Sequence, residues 1–126
     1  MDHLMRLDPA AAEPALSFSC GELPVDEVVL AAGMVPDGYF WEGVLRFLDP
    51  SLADTVELDS ESDLFAAYAS ASVLERVQAL MLPYVTDAAE MAALIGRAEA
   101  AGFDLEDSEP DEPERTSFLR RLLGRG

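Results

Sequence analysis

Residues 36–50, PDGYFWEGVLRFLDP, hold three consecutive aromatic side chains between two glycines. Pro36 ends the preceding segment, and Asp37 is a good N-cap because its carboxylate accepts hydrogen bonds from a first helical turn. The apolar residues after it recur at spacings of one, three and four, which is typical of one helical stripe: Phe40, Trp41, Val44, Leu45 and Leu48. Pro50 is expected to stop the helix. The stretch therefore predicts a core helix rather than a catalytic loop.

Three residues of this helix carry further expectations. Gly43 costs about 1 kcal/mol relative to Ala in a helix interior, so another backbone or a bulky side chain is expected to come close there. Glu42 and Arg46 are four residues apart with the acid first, the favoured order for an exposed ion pair. Three consecutive helical residues spread over roughly 200°, so Tyr39 is expected at the edge of the core, with its polar end offered to a partner.

The segments on either side of this helix predict a sheet. The alternation from Leu16 to Cys20 is typical of a half-buried strand that ends at Gly21. Residues 54–70, DTVELDSESDLFAAYAS, predict a β-hairpin with its turn at 60–63. The returning strand is apolar on both faces, which favours a central position in the sheet.

Capping and helix-breaking residues mark three further helices. They are a short one from Pro24 to Gly33, one capped by Ser72 with Glu75 completing a capping box and kinked or ended near Pro83, and one capped by Thr86 or Asp87 and ended by Gly102. Phe103 and Leu105 are then expected to form a brief last strand.

Together these elements predict a two-layer α+β fold, an antiparallel sheet of three or four short strands with about four helices packed on one side. Residues 15–107 form its single domain, residues 1–14 a flexible leader, and residues 108–126 a mobile tail that is first acidic and then basic. The side chains expected in the core are Phe40, Trp41, Leu45, Phe65 and Tyr68.

Charge is the dominant global feature, with 25 acidic residues against 8 basic ones, all arginine, and a net charge of −17. Such a field repels nucleic acid and anionic membranes and attracts basic partners. The alternative is that the charge serves solubility alone. No apolar run reaches the roughly 18 residues that a membrane span needs, so no stable membrane insertion is expected. A lone cysteine and the lack of a signal-peptide pattern predict a cytoplasmic protein.

The residue types that carry catalysis and metal binding are scarce. His3 is the one histidine, and Cys20 is expected to be a buried structural thiol, so neither a nucleophile–histidine pair nor a zinc ligand set is available. Residues 59–63 resemble the first half of a calcium loop, but Leu64 and Ser70 replace its required glycine and glutamate. The sequence thus predicts a protein that is not an enzyme and uses no metal or cofactor.

Three segments carry a family resemblance: PDGYFWEGVLRFL (36–48), DSESDLFAAYAS (59–70) and TDAAEMAALIGRAEAAGFDLED (86–107). They resemble the immunity protein 51 family of bacterial polymorphic toxin systems, from about Leu16 to Asp107. The resemblance implies a small α+β protein that binds and neutralises a cognate toxin domain as a stoichiometric inhibitor, with no cofactor and no catalytic residues.

Charge and resemblance together predict an acidic surface that meets a basic toxin. The residues expected at this interface are Tyr39, Glu42, Asp59, Glu61 and Asp63. An alternative is an acidic, non-catalytic adaptor that acts through the Arg/Leu segment RTSFLRRLLGRG (115–126).

Overall fold

The protein is described from a computed structural model, which describes residues 5–8 and 13–106. The elements in chain order are β1 (Arg6–Asp8), β2 (Ala15–Ser19), α1 (Asp26–Ala31), α2 (Gly38–Leu48), α3 (Pro50–Ala53), β3 (Glu57–Leu58), β4 (Leu64–Tyr68), α4 (Ala71–Thr86) and α5 (Ala88–Ala101). The predicted tail, 108–126, lies outside the described residues, as does most of the predicted leader.

The strands of the described chain form one antiparallel sheet in the order β1-β2-β4-β3. With the helices packed on it, this confirms the predicted α+β class, and β4 is interior as its two-sided apolar pattern indicated. Strand β1 was not predicted, since its residues fall in the segment assigned to a leader. It pairs with β2, Arg6 opposite Ser17, and Met5 beside it is 2% exposed.

One face of the sheet forms the core. The cross-strand pairs Leu16–Ala67 and Phe18–Phe65 are fully or almost fully buried, and the two phenyl rings stack with their centroids 5.0 Å apart. Helix α2 packs on β4, and α4 packs on β1 and β2. Trp41 of α2 meets Phe18 edge-on at 5.3 Å, which joins the helical layer to the sheet.

Helix α2 matches its sequence pattern. The Asp37 carboxylate accepts a hydrogen bond from the Phe40 N–H at 2.9 Å, as predicted for an N-cap. Four of the five expected core side chains are 0% exposed: Phe40, Trp41, Leu45 and Phe65. Tyr68 is half-buried and lies outside the core cluster, so the core prediction is wrong for this residue. The helix stops at Leu48, and Pro50 occupies the first turn of α3 beneath the N-cap Asp49.

The predicted start of α4 is wrong by two residues. Ser70, not Ser72, is the N-cap, and its hydroxyl accepts from the Val73 N–H at 3.4 Å. The expected capping box with Glu75 therefore does not form, since Ser72 is already inside the first turn. Pro83 lies in the last turn of α4, and the helix ends three residues later at Thr86, near the proline as predicted. Asp87 and Gly102 bound α5 as predicted.

The predicted last strand is also wrong. Beyond α5, the Phe103 N–H donates to the Ala98 carbonyl and the Gly102 N–H to that of Glu99, a Schellman motif with Gly102 at φ +71°. This motif turns the chain onto α2, where the Phe103 ring lies 5.2 Å from that of Phe47. Packing against a helix, rather than pairing at a sheet edge, fixes this segment.

Within the described residues, no single helix is long and apolar enough to cross a membrane; α4 and α5 meet those criteria only as a pair bent by 104°.

Candidate protein-binding surface

The first turn of α2 is docked directly onto the hairpin turn. The Gly38 N–H donates to the Ser62 carbonyl at 3.4 Å. A Cβ on Gly38 would overlap the carbonyl oxygens of Glu61 and Leu64 and lie 2.8 Å from the Ser60 Cβ. Only glycine allows this approach, so the contact places Tyr39, which is 38% exposed, beside the acidic turn.

The turn is closed by its own backbone and tied to the sheet. Glu61 and Leu64 exchange two backbone hydrogen bonds, at 2.8 and 3.2 Å, so Ser62 and Asp63 occupy its tip. The Asp63 carbonyl accepts from the Cys20 N–H at 3.0 Å, which anchors the turn to the end of β2. The exposed acids of the turn are thus carried on a backbone that is held from two sides.

Glu42 does not lie on this surface, contrary to the sequence prediction. It is 3% exposed, its Oε2 accepts from the Ser60 N–H at 3.1 Å, and its Oε1 lies 3.8 Å from the Arg46 guanidinium. The Ser60 N–H points away from β4 at the edge of the sheet, so once buried it requires an acceptor from elsewhere. Glu42 supplies that acceptor and positions the turn. The prediction of an exposed ion pair with Arg46 is therefore wrong, because the glutamate of the pair is buried.

Ser60 is the site residue that the sequence analysis missed. It is 7% exposed, and its Oγ accepts from the Ala66 N–H at 3.1 Å in place of a backbone carbonyl. Its pattern, DSES, is that of an ordinary solvated turn, so no local signal separates it from Ser62. In the sequence, Gly38 only flanks the aromatic cluster, and nothing next to it indicates its contact with the hairpin turn.

The acidic side chains of β3 and of the turn project from the same face of the sheet as alternate residues of β4. Glu57 is paired with Tyr68, Glu61 with Leu64, and the Asp59 N–H bonds to the Ala66 carbonyl. Residues that oppose each other in antiparallel strands project to the same face. We call these six residues the outer hairpin face. Ala66 is 4% exposed and does not belong to the core cluster, so the accessible surface of this face comes from the other five residues.

The outer hairpin face therefore carries a row of exposed carboxylates along the sheet edge, next to a shallow apolar strip. The strip consists of Leu64, Ala66 and Tyr68, the first and last of them half-buried. Asp63 is exposed at the tip of the turn. The structure thus brings Tyr39, Asp59, Glu61 and Asp63 to one end of the molecule. Among the described residues, no group of three His, Cys, Asp or Glu side chains is arranged to hold a metal ion.

Comparisons of this chain with protein-family models, with curated proteins and with solved structures found no match.

Proposed function

We propose that this protein is an immunity protein that binds a basic toxin domain and neutralises it by one-to-one occupation of its surface. The observation that supports this most directly is the mounting of the acidic turn. Gly38 and Glu42 hold it from α2, and Cys20 holds it from β2. A binding surface whose backbone is fixed before the encounter loses less conformational entropy on association, which raises affinity for the same contacts.

Charge and apolar contact have different roles in this proposal. The row Glu57, Asp59 and Glu61, with Asp63 at the tip, attracts a basic surface over a long range and selects the partner. Tyr39 and the apolar strip provide the contacts from which water is excluded, and aromatic side chains dominate the energetics of such interfaces. Against a nuclease toxin, the carboxylates would occupy the groove that otherwise binds phosphate.

The test uses the cognate toxin domain, which this proposal expects to be encoded next to this chain. Co-expression is expected to protect cells, and stopped-flow association of the purified pair is expected to slow steeply with salt. The double variant Asp59→Lys/Glu61→Lys should lower the association rate at least tenfold at low ionic strength, because it reverses the attracting field at the contact.

Glu75→Lys/Glu90→Lys is the matched control, since it makes the same change in net charge on exposed positions of α4 and α5. It should alter the rate by no more than about twofold. Equal losses in the two variants, or an association rate independent of salt, would show that the outer hairpin face is not the contact.

The adaptor alternative is favoured by one sequence feature, the concentration of four of the eight arginines at positions 115–125. Deleting residues 108–126 separates the two functions. An immunity protein that acts through the hairpin keeps its protection after this deletion, whereas an adaptor that acts through its tail loses its partner.

A further inference from the structure

A second surface, remote from the acidic turn in sequence, is an apolar cleft between α1 and α5. Its volume is about 260 Å³, enough for one or two large apolar side chains. The lining includes Met34, Ile95, Ala98, Phe103 and Leu105, with Glu99 and Asp104 also in its wall. Val35, next to Met34 in the chain, is 56% exposed.

The two walls of this cleft are fastened to each other. The Glu106 carboxylate accepts from the Val35 N–H at 2.7 Å, which links the segment after α1 to the segment after α5. The Schellman motif at Gly102 turns the second segment back over the body of the protein. The last described residue, Glu106, directly follows Leu105 of the cleft lining.

The sequence beyond that point contains an apolar segment of matching character. In FLRRLL (118–123), the apolar residues fall at positions 118, 119, 122 and 123, the spacing of one helical face, and Arg120 and Arg121 lie between them. The cleft presents apolar side chains with Glu99 and Asp104 in its wall, and the Glu106 carboxylate lies next to it on the Val35 N–H. Charge and hydrophobicity are therefore complementary between the cleft and this segment.

The intervening chain is long enough to make the connection. Eleven residues, 107–117, lie between Glu106 and Phe118, and an extended chain covers about 3.3–3.6 Å per residue. The linker is acidic, and the body of the protein is also acidic, so the linker is repelled while the arginine-containing segment is attracted. A tether of this length gives the segment an effective concentration on the order of millimolar at the cleft, which makes even a weak contact populated.

From these observations we infer that residues 118–123 dock in the α1–α5 cleft of their own chain, with apolar side chains inserted and the arginines on the acidic rim. The inference does not depend on the proposed function. It assigns the basic segment a partner within its own chain. Release of the segment from the cleft would expose its basic and apolar side chains to other molecules.

Paramagnetic relaxation in the full-length chain tests this docking. Cys20 is buried, so a nitroxide attached at Ser117→Cys labels one position selectively. The label is expected to reduce the amide peak intensities of Met34, Val35 and Phe103 to less than half, with little effect at the hairpin turn. Leu119→Asp/Leu122→Asp should restore those intensities, whereas the control Thr116→Asp should not.

Three outcomes would overturn the inference. Broadening centred on the outer hairpin face would place the segment there instead, and uniform intensities would show that it has no site on the domain. Broadening that also appears when labelled chain is mixed with an isotopically distinct, unlabelled copy would make the contact intermolecular.

Discussion

Cys20 illustrates how burial controls the chemistry of a single side chain. It is 8% exposed, and burial raises the pKa of its thiol from 9.0 to about 12, with smaller contributions in the same direction from Asp37, Asp26 and Asp63. The thiolate is the reactive species, so its population at pH 8 is very small. We expect the native protein to react with iodoacetamide at least a hundredfold more slowly than the urea-unfolded chain, as followed by mass spectrometry. Similar rates in both states would contradict the buried position.

Asp26 makes a pH-dependent contribution to stability. Burial raises the pKa of its carboxyl above the usual 3.8, an effect that the hydrogen bond from the Leu23 N–H opposes. In the window between 3.8 and the raised pKa, the folded state binds more protons than the unfolded state. Ionisation of this residue therefore lowers the free energy of unfolding as pH rises through that window.

The variant Asp26→Asn removes this titration while keeping an oxygen that can accept from Leu23. Its free energy of unfolding is expected to rise relative to wild type as the pH increases from about 4 to 7, with urea denaturation as the measurement. The exposed change Glu27→Asn is the control, as it lies one residue further along α1. A constant difference between Asp26→Asn and wild type across this range would contradict the assignment.

At the scale of elements, α2 owes its position to two glycines that other segments approach. A Cβ on Gly43 would overlap the Leu105 carbonyl oxygen and lie 2.9 Å from its carbon. Gly43→Ala is therefore expected to destabilise the fold by about 1–3 kcal/mol despite its better helix propensity, because the backbone of residues 103–106 must move.

Gly96→Ala in α5 is the matched control, since its added Cβ would meet no atom of another segment within 4 Å. There only propensity changes, and a gain of up to about 1 kcal/mol is expected. Both values are measured by chemical denaturation. Two stabilised variants would mean that Leu105 does not cover α2.

Local patterns predicted the elements well where periodicity and caps coincide. The stripe of α2, the caps Asp37 and Asp87, and the stop at Gly102 were all read correctly, because each depends on residues within one or two turns. Strand β1 could not be read in this way: three residues carry no period, and its hydrogen bonds come from β2. Ser70 and Ser72 have the same intrinsic preference for the N-cap position, so the local sequence does not distinguish them.

At the scale of the whole molecule, charge opposes compactness. The described residues include 19 acidic residues and only four arginines, so like-charge repulsion across the surface is extensive. Screening should relieve it: raising NaCl from 10 to about 300 mM shortens the Debye length from about 30 Å to well below 10 Å. We expect the melting temperature to rise by several degrees, as measured by circular dichroism, and KCl to act equally. A falling melting temperature would mean that attractive pairs dominate instead.

The candidate site also combines features that the local sequence predicts with features that depend on tertiary contacts. Exposure of Tyr39, Asp59, Glu61 and Asp63 followed from helix geometry and turn composition. The burial of Glu42 did not follow from the local sequence, because an i,i+4 pair with Arg46 is typical of a solvent-exposed helix face. Only the position of the hairpin over α2 makes Glu42 buried. The demand for an acceptor arises at Ser60, eighteen residues away, and no local pattern in either segment reports it.

The sequence by itself determined the fold class, the core stripe of α2, the hairpin and the acidic character, since these depend on composition and on neighbours along the chain. The tertiary structure alone decided that Glu42 is buried, that Gly38 seats the acidic turn, that Leu105 covers Gly43, and that Glu106 borders an apolar cleft. These are contacts between segments distant in sequence, and their cause is the need of each buried polar group for a partner and of each close approach for space.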